Sequence, residues 1–192
     1  MKIDRSFFQR DAVTAARELI GHYLVRVSPE GVTKARIVET ESYMGEIDDA
    51  AHSYKGKTER VRALYGEKGH AYIYLIYGMY NCLNISAGPE GVPQCILIRA
   101  VEPTEGTELM IKRRKTDKLK NLCSGPGKLC MAMDITRALY DEDMTAGDVL
   151  YIEAGESLET VASPRIGIDY AEKCRDKLWR FTAKDNKFVS KP

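Results

Sequence analysis

The sequence predicts an α+β fold: one compact domain on a curved, mainly antiparallel β-sheet, flanked by helices, with an aromatic β-hairpin protruding from it. Three observations carry that expectation. Short apolar, β-branched and aromatic runs (HYLVRV, VTKARIVETESY, YIYLIY, YNCLNISA, CILIRAV) recur through the chain. Tight-turn signals such as Pro29-Glu30-Gly31 and GPEGVP separate most of them, which suits hairpins better than helical crossovers. A length of 192 residues with 44% hydrophobic and 30% charged residues is enough for one useful core.

Asp11 can cap a helix running to about residue 20, where Gly21 closes it. HYLVRV and VTKARIVETESY, joined through Pro29-Glu30-Gly31, form a hairpin of extended strands. Thr58 caps a short helix to about Tyr65. Strands occupy 71–77, 80–87 and 94–101, the last following the turn-rich GPEGVP. Thr104 to Lys115 and Gly127 to Met133 are helical, and short strands near 148–153, 161–168 and 178–189 complete the chain. No internal repeat, low-complexity tract or linker interrupts it, so residues 1–192 are expected to form a single domain.

Composition narrows the function classes. No apolar run approaches the roughly 20 residues of a membrane helix, and the start, MKIDRSFFQRDAVTAAREL, lacks a signal peptide's apolar stretch. A cytoplasmic, bacterial protein without a membrane partner is expected. The five cysteines include no C-x-x-C pair, which favours reduced thiols over a disulfide framework or zinc site. With only His22, His52 and His70 beside them, neither a metal nor a cofactor is expected. Net charge is only +1, but residues 55–70 carry a surplus of three positive charges and residues 99–137 a surplus of four. The remainder is therefore acidic by six. That asymmetry suggests one basic face; a solvated helix of mixed charge at 102–120 is the alternative.

Four stretches can carry chemistry. In ETESYMG, Glu39, Glu41 and Tyr43 share a strand face, and two carboxylates about 7 Å apart beside a ring can tune each other for proton transfer. A solvent-facing strand edge is the alternative. His52 in IDDAAHS is a base, a stacking partner or a hydrogen-bonded structural histidine. Tyr72 and Tyr74 share another strand face, while Tyr77-Gly78-Met79-Tyr80 makes a hairpin tip with large apolar groups where polar turn residues are favoured. Such rings usually pack in cores, but an exposed apolar tip can also unstack a duplex. CSGPGKLC sets glycines and Lys128 at a helix start, which suits a phosphate or is an ordinary turn.

Together these stretches resemble the alkyladenine (3-methyladenine) DNA glycosylase family. RIVETESYMGEIDDAAHS, YIYLIYGMYNCLNIS, ILIRAVEP and LCSGPGKLC occur in the family's order, and RIGID and LWRF fit its C-terminal portion. The resemblance implies that Glu41 is the general base and Arg99 its companion beside the attacking water. It implies that Tyr43, His52 and Tyr74 wall the pocket for an extruded base, with Asn84 at the floor. Tyr77 matches the wedge that fills the gap in the duplex, with Met79 beside it at the tip. Leu97 matches another pocket or groove residue, and Arg60, Lys128 and Arg137 fall where family members meet phosphates. The implied partner is double-stranded DNA containing alkylated or deaminated purines, bound by a monomer. The chain departs from the T-x-R-N-R stretch of many relatives at TERVR, where Val61 removes a polar group, and in the loops 88–94 and 115–121.

Overall fold

The computed structural model describes residues 1–190. Eight strands form a curled sheet: β1 (Tyr23–Ser28), β2 (Gly31–Tyr43), β3 (Ala71–Ile76), β4 (Tyr80–Ala87), β5 (Gln94–Glu105), β6 (Leu150–Glu153), β7 (Thr160–Ser163) and β8 (Arg180–Ala183). The order is β3-β4-β5-β2-β1-β6, with β8 also paired to β2 and to β7, and every pairing is antiparallel. The expected α+β architecture is what the chain adopts.

The 13-residue β2 organises the sheet. One edge pairs with β5, and the other pairs first with β1 and then, at Glu39–Glu41, with β8. Register shifts interrupt the β2–β5 ladder beside Ala35 and around Glu39, and bulges of this kind bend a sheet and increase its twist. Glu39 and Glu41 consequently lie inside the curl, each with no exposed surface. The solvent-facing alternative is thereby excluded.

Four α-helices flank the sheet: α1 (Ala12–Glu18), α2 (Thr107–Arg114), α3 (Leu119–Leu122) and α4 (Pro126–Ala132). The Asp11 carboxylate accepts from the Thr14 amide at 3.0 Å and caps α1, as expected. Ala12, Ala15 and Ala16 of that helix are fully buried against the sheet, and the Thr40 hydroxyl donates to the Ala16 carbonyl at 2.8 Å. Gly21 then turns at φ +99°, where a Cβ would meet the Glu156 carbonyl oxygen at 2.0 Å. Asp11→Ala is expected to lower stability by about 1 kcal/mol, read as a drop in denaturant midpoint without a change in slope.

Several boundaries differ from the sequence reading. β5 continues to Glu105, past Pro103, which sits opposite Ala35 beside a register shift and so interrupts no regular ladder bond. The helix expected from Thr104 therefore starts at Thr107, after a left-handed Gly106. The segment after Thr58 is a 3-10 helix, Glu59–Leu64, and Thr58 makes no side-chain cap. The last two strands are shorter than expected, because the chain after Ser163 leaves the sheet and turns toward the pocket described below. No helix among the described residues is long and apolar enough to cross a membrane.

Candidate active site

β2, β3, β4 and β5 bring one face of the sheet together over a cavity of about 450 Å³, within the range of small-molecule sites. Its wall carries Tyr43, His52, Tyr72, Tyr74, Asn84 and Arg99. The His52 and Tyr74 rings meet edge to face at 4.5 Å. His52 Nδ1 and the Tyr72 hydroxyl form a 2.8 Å hydrogen bond. Burial, followed by the nearby Arg60 charge, pushes the His52 pKa down to about 4, so the imidazole is neutral at physiological pH. Asn84 is buried, and its amide donates to the Tyr72 carbonyl at 3.2 Å.

Glu41 gives the cavity no surface of its own, but its three donors all do. The Ile166 amide donates to Oε1 at 2.8 Å, the Tyr43 hydroxyl to Oε2 at 2.9 Å, and Arg99 Nη1 to Oε2 at 3.4 Å. Burial raises the Glu41 pKa above the ordinary carboxylate value, while Arg99, the Ile166 amide and Tyr43 oppose the rise. Tyr43 itself is held neutral, its pKa pushed far up by burial and then by Glu41. Glu39 is engaged differently. It accepts from Arg99 Nε at 3.2 Å, Arg180 Nε at 2.8 Å, and both the amide and hydroxyl of Ser190.

At the mouth stands the β3–β4 hairpin. The Met79 amide donates to the Ile76 carbonyl at 3.2 Å, and the two central turn residues, Tyr77 and Gly78, have φ of 52° and 71°. Both central residues at positive φ fit a type I′ hairpin, where glycine or asparagine is normal and a tyrosine costs about 1–2 kcal/mol. Tyr77 is 85% and Met79 63% exposed. The tip thus holds a large exposed ring beside the aromatic cavity, on a backbone conformation that tyrosine seldom adopts.

The match to a family model describing methylpurine-DNA glycosylases spans residues 6–187. The chain belongs to that family. The proteins most similar to it include one from Methanocella arvoryzae, 50% identical over 98% of this chain and 96% of its own length. Others come from Clostridium acetobutylicum (49%, covering 99% and 98%) and Clostridium tetani (47%, covering both chains completely). Each carries the name "Putative 3-methyladenine DNA glycosylase". The enzyme is accordingly a DNA glycosylase, a hydrolase of N-glycosyl bonds in DNA.

In this glycosylase the expected residues divide into three groups. Glu41, Arg99, Tyr43, His52, Tyr74 and Asn84 come together at the cavity. Tyr77 lines its mouth, and Met79, beside it at the hairpin tip, lines a separate depression with Tyr80 and Gly127. Lys128 and Arg137 are exposed, Lys128 on α4 and Arg137 in a 3-10 turn after it, and Arg137 shares a second groove with Arg60, Arg62 and Tyr140. Arg60 stands between the two groups, its guanidinium 5.4 Å from the Tyr74 ring centre and on the wall of both depressions. Leu97, expected as a pocket or groove residue, is 3% exposed within the sheet, opposite Glu41 and Asn84, and lines the cavity. Tyr80 opens β4 next to the hairpin tip and is 39% exposed, where Gly127 lets α4 approach it closely.

The basic face is smaller than the charge count implied. Arg99 is in the site, Lys112 and Arg113 bind Glu30, and Lys68 is buried with its ammonium donating to the Leu64 and Val92 carbonyls. Val61 is fully buried with Leu64, Tyr72 and Cys95, so it packs beneath the cavity. The sequence reading missed three residues: Ile166, whose amide binds Glu41; Arg165 behind it; and Tyr170, a 67% exposed ring at the cavity lip whose hydroxyl donates to Ala50. RIGID was the available signal for the first two. Among the described residues one cluster, Asp48, Asp49 and Cys174, has metal-ligand spacing. Its carboxylates are already engaged, Asp48 by Arg165 and Asp49 by the amides of Glu172, Lys173 and Cys174.

Proposed function

We propose that the enzyme removes alkylated purines, 3-methyladenine and related lesions, from duplex DNA by flipping the nucleotide into the cavity and hydrolysing its glycosidic bond with water activated by Glu41. The observation that carries this reading is a buried, donor-bound Glu41 carboxylate set just behind an aromatic cavity with an exposed ring at its mouth.

A base inside the helix is unreachable, so it must leave the stack, and Tyr77 occupies the vacated position. The electron-rich faces of Tyr43 and Tyr74 then attract a cationic alkylpurine. The neutral His52 edge adds no repelling charge. Of the three bonds to Glu41, that from Arg99 is the longest and weakest, so water entering beside Arg99 gains Oε2 as its proton acceptor. As the bond to the base breaks, the sugar gains positive charge, which the Glu41 carboxylate stabilises. Its raised pKa brings the carboxylate closer to neutrality, where a general base is most effective. Deaminated purines fit the same cavity but are neutral and lack the cation's attraction, so they are the poorer substrates. The enzyme works as a monomer, with residues 1–192 forming the single catalytic domain.

Two rival readings fit less well. A module that merely binds unpaired bases gains nothing from two buried carboxylates near a polyanion. A carbohydrate glycosidase needs a second available carboxyl group, and Glu39 is committed to Arg99, Arg180 and Ser190. The deciding assay incubates methylated duplex DNA with enzyme in excess chelator and separates free purines by chromatography. Appearance of free 3-methyladenine supports the proposal, and DNA that keeps every base refutes it.

The basic surface has its own test. Binding to undamaged duplex is expected to weaken steeply with salt, as cationic side chains displace counterions from phosphates. Lys128→Ala should flatten the log–log salt slope by about one unit and leave lesion preference unchanged. An unchanged slope would remove Lys128 from the DNA interface.

A further inference from the structure

Arg165 follows β7 by two residues and is enclosed completely, its side chain having no exposed surface. Its Nη1 donates to Asp48 Oδ2 at 2.6 Å and to the Ser42 carbonyl at 3.0 Å. Its Nη2 donates to Asp48 Oδ1 at 2.8 Å and to the Cys174 carbonyl at 3.4 Å. The guanidinium stacks 4.6 Å from the Tyr43 ring centre and 5.0 Å from that of Trp179. Asp48 in turn accepts from the Met44 and Ala50 amides.

Stability is a poor explanation for this arrangement. Apolar packing often replaces a buried ion pair without loss, and here the Nε atom of Arg165 is buried with no hydrogen-bond partner. What the pair does hold is specific. The next residue, Ile166, presents its amide to Glu41 Oε1, and the ring lying on the guanidinium, Tyr43, presents its hydroxyl to Glu41 Oε2. One forked anchor thus sits directly behind two of the three donors to the carboxylate.

We propose that Arg165, seated on Asp48, is a positioning residue that fixes the orientation and ionisation of Glu41 through the Ile166 amide and the Tyr43 ring, without touching DNA. The proposal rests on the reading of Glu41 as general base. Its sign follows from the geometry. An amide aimed at Oε1 favours the ionised carboxylate. Loosening that amide favours the protonated form, and the acid limb of the excision profile moves to higher pH. The other groups around Glu41 are Tyr43 and Glu39 on β2, Arg99 on β5, and Arg180 and Ser190, which meet it through Glu39. None of them is altered by the variants below.

The test is the pH dependence of single-turnover excision by full-length enzyme. Arg165→Lys keeps the charge but loses the fork. A backbone ester in place of the Ile166 amide, introduced with the corresponding hydroxy acid, removes only the donor. Each is expected to move the acid limb upward by about one pH unit. The two together should move it no further than either alone, with duplex affinity and flipping unchanged. Should Arg165→Lys fail to fold, Asp48→Glu, which retains both charges and displaces the fork, is read on the same axis. An acid limb that stays at the wild-type position in the folded Arg165 or Asp48 variant overturns the proposal, even if the ester moves it. Failure of the underlying reading looks different: Glu41→Gln would then excise normally.

Discussion

Glu41→Gln is expected to bind lesion-containing duplex nearly as tightly as the wild type while releasing base roughly 10²–10⁴-fold more slowly. The change is isosteric, but on the proposed mechanism it removes both the proton acceptor and the charge that stabilises the developing cation. Oε2 now receives the Tyr43 hydroxyl and Arg99, and Oε1 the Ile166 amide. Wherever the new amide NH₂ points, it faces a donor, so some stability is also lost and rates are compared per folded molecule. Single-turnover excision with enzyme in excess isolates the chemical step. A rate within a few-fold of wild type would remove Glu41 from the mechanism. Glu39→Gln serves as the contrast, because Glu39 anchors Arg99 and Arg180 and Ser190 from behind. Its deficit should fall chiefly on stability.

The second large effect is expected at the hairpin tip. Unstacking a base costs a few kcal/mol, and each 1.4 kcal/mol is a factor of ten. Deleting the Tyr77 ring should therefore slow excision from duplex about 10–100-fold while leaving hydrolysis of an already extruded nucleotide unchanged. The informative variant is Tyr77→Gly. Tyr77 has φ of 52°, a region that glycine enters freely, so this change removes the ring and the backbone strain together. A hairpin that is as stable as wild type or more so, yet fails to extrude a fluorescent base analogue, would separate wedge from scaffold. Full extrusion by Tyr77→Gly would show that the ring does not fill the stack.

Much of this was readable from local pattern. The two-residue period of a strand placed Glu39, Glu41 and Tyr43 on one face, and the structure joins Glu41 to Tyr43 and both glutamates to Arg99. The Asp11 cap, the Gly21 turn and the Tyr77–Gly78 tip were legible for the same reason, since each is decided within a few residues. What stayed hidden depends on partners far along the chain. Burial of the two glutamates follows from the curl of the sheet and from Arg180 and Ser190, some 140 to 150 positions away, meeting Glu39, and a strand's own sequence records neither. The basic segments looked like one DNA-binding face, but Arg99 and Arg113 pair with carboxylates 58 to 83 positions away, and Lys68 is buried on the Leu64 and Val92 carbonyls. Leu97 read as groove or pocket, and it lines the cavity between Glu41 and Asn84. RIGID looked like strand. Arg165 leaves the sheet to meet Asp48, 117 positions earlier, and only that meeting reveals why an arginine stands there.

The central claim is that water, activated by Glu41, takes the place of the damaged base on an otherwise intact strand. The most direct measurement is product analysis on a duplex carrying one alkylated purine, with borohydride present in a parallel reaction. Free base and an abasic site should form in equal amounts, on a strand that breaks only after alkali, and no protein should become joined to DNA by reduction. A strand cut without alkali, or a borohydride-trapped covalent complex, would show that an enzyme amine, not water, attacks the sugar.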